Sequence, residues 1–545
     1  MSLTSIPSTK VTITDEMLRF AAALVDRSQI AVDLETRLQR RTGRPREIPV
    51  RALFISLVLL ALDDRPLHLT LVTDLCYRRL SGDQQSRIGV SGDARGRRAF
   101  LARYRKVRYL FHLILSVVDP SPYPKNRRLQ KEVLDASLRK MTPEETSERS
   151  ERLLTLVNAL LEASVEVLSE EERAAFDGSV GLDATPVPLY SRGPSRSSAL
   201  EASDPDGSWY VREGDHRAKE DDKGRIRGKV AWALEATIAT MVTSPGSPMA
   251  HPCLAIGFTL ARAGVDPGGT GAKVMAEVAS RGHRAGFLGA DRAYSSALPE
   301  RFHLPVRALG YEPVFDYRVD ELKVQANSGG AILLEGTWCC PATPRPLIDA
   351  TADYRAGSID QSTYVKRIVA RSEWHLKKKD GPDEDGYERW SCPATGDHPR
   401  LICAHRPMSQ KPRDGRTKVN TPPENPPKLC CQSAITIAPD VGARHRQRLA
   451  FASKEWERRY ATCRNTIEGW NGFVKDPAHE ALAQPARRRV RGIAAQSIFC
   501  ALLLMAANIR KIRTHRELIE AGRTAAVTER ARRRRISLLD YSPPG

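Results

Sequence analysis

Apolar positions in the first 120 residues recur at helical spacing. The pattern predicts helices over 16–25, 49–62, 69–80 and 97–118, the second so continuously apolar that it reads as buried on every side. SPYPKNRR at 121–128 has linker composition, and 144–172 resumes as a charged amphipathic helix. From residue 179 the period shortens towards two. Strands are predicted at 179–189, 229–242, 253–259, 285–290 and 311–315, with a polar loop over 191–228 and a helix over 271–281.

Residues 320–450 break this pattern. They hold six of the ten cysteines and a Pro- and base-rich run over 406–427, which suits neither a central strand nor a helix interior. Helical periodicity returns at 453–475 and 492–520. Three antiparallel strands followed by alternating helices and strands fit an α/β fold of the ribonuclease-H-like kind. The predicted organisation is an all-helical N-terminal region (1–130), a linker helix (131–176), a ribonuclease-H-like core (177–320 and 451–520) interrupted by a β-rich insertion (321–450), and a basic tail (521–545). No internal repeat is apparent.

Charge narrows the partners. The 545 residues carry a net charge of +20, and 14 basic against 4 acidic residues from 484 onward supply half of it. Such an excess points to a polyanion, nucleic acid or an anionic membrane, with a merely solubilising surface as the plain alternative. A membrane is disfavoured: the longest apolar runs, 53–62 and 498–507, are about half of the roughly 18–20 residues a span requires. No basic start followed by an apolar run opens the chain, so a cytoplasmic, nucleoid-associated location is expected. The cysteines then read as reduced thiols or metal ligands rather than disulfides. Arg44 and Arg46 flank Pro45 in a Gly-Arg-Pro sequence that suits a narrow minor groove, although a turn before a helix also favours Gly and Pro.

The candidate chemistry rests on three acids. Asp183 lies in GLDATPV and Asp291 in GFLGADRAY, each where a predicted strand could hold a carboxylate for a hard divalent cation. Strands often end in Asp for turn reasons alone. The stretch 460–477, YATCRNTIEGWNGFVKDP, is sharper. On a helix with Arg464 at zero, Glu468 falls at about 40°, Lys475 at about 20° and Tyr460 at about −40°. A solvated face with one i,i+4 ion pair is the competing reading. His216 and Lys229 are candidate phosphate contacts or simply loop residues. Cys392, Cys403, His405, Cys430 and Cys431 are candidate ligands for a structural zinc. They lack a Cys-x2-Cys pair, which favours plain buried thiols.

The three acids resemble those of a DDE transposase. Arg464, Glu468 and Lys475 match the spacing of the Tyr-x2-Arg-x3-Glu-x6-Lys signature of a large group of bacterial insertion-sequence transposases, with Tyr460 one residue further upstream. Asp291, Arg292 and Tyr294 match the Asp-Arg-x-Tyr signature of the same group. The run RRRVRGIAAQ after the Glu helix is similar to that of actinobacterial transposase-like proteins. The resemblance implies Asp183, Asp291 and Glu468 as catalytic residues holding two Mg2+ ions, for which Mn2+ can substitute. It implies DNA contacts from Tyr460, Arg464, Lys475, Arg292 and Tyr294, and an inserted domain in the 177-residue separation of Asp291 from Glu468. Water would free a 3′-OH at an element end, and that hydroxyl would attack target DNA. Partners would be element ends, target DNA and a second copy in a homodimer on paired ends. A catalytically inactive DNA-binding descendant and a ribonuclease-H-like nuclease that cuts without joining remain open.

Overall fold

The computed structural model describes residues 13–39, 46–195, 197–211, 230–410 and 415–522. The chain is mixed α/β. The helices that frame its centre are α1 (Asp15–Ser28), α2 (Val50–Leu62), α3 (Gly96–Val118) and α4 (Pro143–Val165). In α2 nearly every side chain is buried, as its unbroken apolar run requires. The helix predicted over 69–80 is α-helical over Leu69–Asp74 and π-helical over Leu75–Arg79. The one predicted over 144–172 is broken by Ser169, whose side chain accepts from the Glu172 N–H while the Glu172 carboxylate accepts from the Ser169 N–H. That reciprocal cap starts a new helix at Glu170.

Six strands form the main sheet: β1 (Val180–Pro188), β2 (Ser208–Val211), β3 (Val230–Met241), β4 (Ala255–Arg262), β5 (Phe287–Ala290) and β6 (Glu312–Val314). β3 is central to the antiparallel half, pairing with β1 on one side and with β2 and β4 on the other; β1, β5 and β6 run parallel. The helix α5 (Pro267–Ser280) crosses from β4 towards β5. β2, only four residues long, lies inside the predicted polar loop; too short to show a period, it is held by pairing with the start of β3.

Between β6 and the next long helix stand an antiparallel meander, β7 (Val324–Ser328), β8 (Ala331–Leu334) and β9 (Thr337–Cys339), and the strands β10 (Lys377–Asp380), β11 (Glu388–Ser391), β12 (Leu401–Ile402), β13 (Thr417–Lys418) and β14 (Ile435–Ile437). The region also contains helices at Arg345–Ile348, Ala350–Arg355 and α6 (Gln361–Arg371), so it is more mixed than the β-rich composition predicts. It has a hydrophobic core of its own around Trp338, Trp374, Leu401 and Ile437.

The helices α7 (Lys454–Val474) and α8 (Ile493–Glu520) follow. A continuous core runs from Ile13 to Ile512 and joins the N-terminal helices, the main sheet and α8. Two buried asparagines finish the outer edge of β4. Asn158 of α4 donates to the Phe258 carbonyl (2.9 Å) and accepts from its N–H (2.8 Å). Asn508 of α8 does the same for Ala255, at 2.8 Å in both directions. Each replaces the backbone of a missing neighbour strand, so the edge is covered rather than exposed. Among the described residues one helix, α8, is long and apolar enough to cross a membrane, and 89% of its apolar window is buried in this core.

Candidate functional site

The sheet register brings the two aspartates together. Leu182 of β1 pairs with Ala290 of β5 as their last parallel pair, and the next residue on each strand is Asp183 and Asp291. Asp183 accepts from the Ala184 N–H (2.8 Å), and Asp291 caps a one-turn helix by accepting from the Arg292 N–H (2.7 Å). Two residues before each acid is a glycine. A Cβ on Gly181 would run into Ile467, and one on Gly289 into Cys463. The bare backbone at these positions lets α7 lie directly on the sheet beside both carboxylates.

Seated there, α7 turns its polar stripe into a cavity of about 680 Å³ that Asp183, Asp291, Tyr460, Arg464, Glu468 and Lys475 share. Arg464 is the hub. Its Nε lies 3.0 Å from the Glu468 carboxylate and its Nη1 3.8 Å from that of Asp291, and it donates to the Tyr460 hydroxyl. Burial opposes its charge, but Tyr460, Glu468 and Asp291 together hold its pKa above the ordinary value. Burial raises the Tyr460 phenol to about 12, and the ring stacks on Trp456 at 4.9 Å. Asp183 is pushed up to about 6, first by burial and then by the Asp291 charge, against the pull of the Ala184 N–H, Lys475 and Arg464.

Two residues that the sequence pattern did not single out matter here, one lining the cavity and one beside it. Asn471 donates to the second Asp183 oxygen at 2.7 Å. At about −20° on the helical wheel it falls inside the Tyr460–Glu468 stripe, but an amide among charges does not stand out. Asp316 follows β6 as Asp291 follows β5, and it pairs with Arg292 (3.0 Å) and Arg355 (3.4 Å). The rule that singled out Asp291, an acid just after a predicted strand, applies to it as well.

Other expectations change. Tyr294 is fully buried and packs on Phe302 at 5.4 Å, so it serves the core and offers DNA no surface. Arg292 turns to Asp316. Arg46 pairs with Glu35 and donates to the Leu38 carbonyl (2.9 Å), while Glu35 also accepts from the Val50 N–H (2.7 Å). It fastens the loop to the start of α2, which is the turn-before-helix role. Arg44, His216 and Lys229 lie outside the described residues. Among the described residues no three His, Cys, Asp or Glu side chains stand at metal-ligand spacing. At this site Arg464 bridges two of the acids, Asp291 and Glu468. No family model, curated protein or solved structure matches the chain.

Proposed function

We propose that this chain is a DDE-type DNA transposase that cuts DNA at the ends of an insertion sequence and joins the freed 3′-OH to target DNA. The observation that carries the reading is the adjacency of Asp183 and Asp291 on parallel strands, with Glu468 brought to the same cavity by a helix that also presents Arg464 and Lys475. The strand order, with β3 antiparallel and β1, β5 and β6 parallel, supports a ribonuclease-H-like core.

The donor set fits magnesium. All three side chains offer carboxylate oxygen, and a carboxyl raised by its neighbour's charge is one that a cation would relieve. Asp183, Asp291 and Glu468 would hold the metal, which supplies charge neutralisation at the phosphate and activation of the attacking oxygen. The chain's own groups do the rest. Asn471 fixes the orientation of Asp183. Arg464 offers a planar fork to phosphate oxygens, and Lys475 a point charge. The basic stretch from 484 onward attracts the polyanion at long range. Paired element ends call for a homodimer.

The Arg464 bridge favours a second reading, a DNA-binding descendant that no longer loads metal. One experiment separates the two. The DNA on either side of the gene is first searched for inverted repeats, and DNA carrying those repeats is incubated with protein and Mg2+ or Mn2+. The wild type is expected to nick and join it. Glu468→Gln removes the charge and keeps the shape, so it is expected to bind that DNA normally and give neither product. Cleavage by the variant at the wild-type rate would reduce Glu468 to a surface ion-pair partner. A wild type that binds verified ends and never cuts them would establish the second reading.

A further inference from the structure

Contrary to the expectation that the chain holds no internal repeat, the region between β6 and α7 contains a short one. Trp-x-Cys-Pro-Ala-Thr occurs twice, at 338–343 and 390–395. Each copy leaves the end of a strand, β9 or β11, and turns in the same way. The cysteine carbonyl accepts from the threonine N–H at 3.1 Å and from the threonine hydroxyl at 2.6 Å, in both copies. The alanine N–H two residues on points at the sulfur of Cys340 in one turn and of Cys392 in the other. A third turn does likewise: the His405 N–H points at the Cys403 sulfur, and the Arg406 N–H bonds the Cys403 carbonyl at 2.9 Å. Backbone N–H groups aimed at sulfur favour the thiolate, the form that binds metal.

These turns face one another. Cys340, Cys392, Cys403 and Cys430, all buried, line a single cavity of about 10 Å³. That is about the space of one water-sized sphere, which suits a single ion and not an iron–sulfur cluster. Cys340 is hydrogen-bonded to the Cys392 sulfur, and both Cys403 and Cys430 lie within electrostatic reach of Cys392. The sulfurs are not yet at ligand spacing, but each turns on one torsion, χ1. Neighbouring candidates are otherwise engaged. The Cys431 thiol is exposed and donates to the Pro426 carbonyl (3.3 Å), the Cys339 thiol donates to that of Thr337 (3.5 Å), and His405 Nε2 bonds that of Pro423 (2.8 Å). Arg406 stands beside Cys392, Cys403 and Cys430 and would offset the charge of four thiolates.

We infer that Cys340, Cys392, Cys403 and Cys430 bind one zinc-class divalent cation as four thiolates, tying the two Trp-x-Cys-Pro-Ala-Thr turns to the 403 and 430 segments. Thiolate sulfur selects such an ion, and structural sites of this kind are closed and tetrahedral. Four S–H protons pass to solvent as four metal–sulfur bonds form, with no change of oxidation state. The role is structural: the ion cross-links a region whose own core is small.

The test uses the full chain, purified without chelator from zinc-supplemented cells. Mass spectrometry of the metal content is expected to give one zinc per chain. Cys403→Ser and Cys430→Ser are expected to lose it, and Cys339→Ser and Cys431→Ser to keep it. Because a ligand variant can fail to fold, the wild type is also stripped and titrated with Co2+. The expected result is a thiolate-to-cobalt absorption of tetrahedral type that saturates at one equivalent and is displaced by zinc. A wild type without zinc and without that absorption would overturn the inference, as would loss of metal in Cys431→Ser or the visible spectrum of an iron–sulfur centre.

Discussion

Burial and the neighbouring Asp291 charge make the Asp183 carboxyl a source of pH-dependent stability. Its folded pKa is raised to about 6 from 3.8 by burial and by Asp291. Below about pH 4 the carboxyl is neutral in folded and unfolded chains alike. Between about pH 4 and 6 the unfolded chain gives up the proton and the folded chain keeps it, so stability falls as pH rises. Above about 6 the loss is complete, on the order of 1–3 kcal/mol without metal. Asp183→Asn removes this decline and can still accept from Asn471. With chelator present, urea unfolding of the variant is therefore expected to be flatter between pH 4 and 6.5 and more stable at pH 7; parallel pH curves would show that burial is not acting on Asp183. Asn471→Ala should lower nicking by freeing Asp183, with a smaller effect on DNA affinity. Arg464→Ala should act in the opposite order, weakening the grip on DNA ends first.

At the scale of elements, the site depends on how closely α7 lies on the sheet. Gly289→Ala puts a methyl into Cys463, and the helix must lift from β5 or the strand must yield. Overpacking of this kind costs about 1–3 kcal/mol. Nicking is expected to fall by at least tenfold, and Cys463→Gly in the same chain, which removes both the Cβ and the sulfur that the new methyl meets, is expected to restore part of it. No recovery in the double variant would place the defect elsewhere. The β4 edge gives a cleaner stability test: Asn508→Ala strands a buried N–H and C=O of Ala255, for an expected loss of about 2–4 kcal/mol in urea unfolding. A loss below about 0.5 kcal/mol would mean that water replaces the amide. Periodicity made most of these elements legible, and the strands predicted around Asp183 and Asp291 stand within a few residues of their observed bounds. The glycines that seat α7 were in plain view beside both acids, but their meaning depends on helix residues about 170 positions from Gly289 and about 290 from Gly181. The edge asparagines had no signal at all, because a mid-helix Asn looks alike whether it faces water or a strand. The helices at 345–371 were hidden by a cysteine- and proline-rich composition that suggested strands.

For the whole molecule, the hydrophobic core crosses the boundaries that composition drew. α1, α2 and α3 share it with the sheet and with α8, so the N-terminal helices stand on the same foundation as the candidate site. The basic tail stands apart from it in sequence, and residues 523–545 lie outside the described structure. If the tail serves the proposed DNA partner, removing 521–545 is expected to weaken binding to all DNA sequences alike, with the salt slope falling by roughly 0.9 for each phosphate that is no longer neutralised. Selective weakening for one end sequence would show that the tail reads bases.

The placing of α8 also sets an order in time. It is the penultimate stretch of the chain, yet Asn508 completes the edge of β4 and Leu502–Leu504 fill the centre of the core. A ribosome has therefore made the acids, the sheet and the cysteine-rich region before the piece that locks them together emerges. Until then the Ala255 end of the β4 edge is uncovered and the apolar faces of α2 and α4 lack their cover, the condition in which nascent chains meet chaperones. A reading frame interrupted shortly before α8 yields all three candidate acids and no finished core, so such products should be cleared by proteolysis rather than persist as partial enzymes.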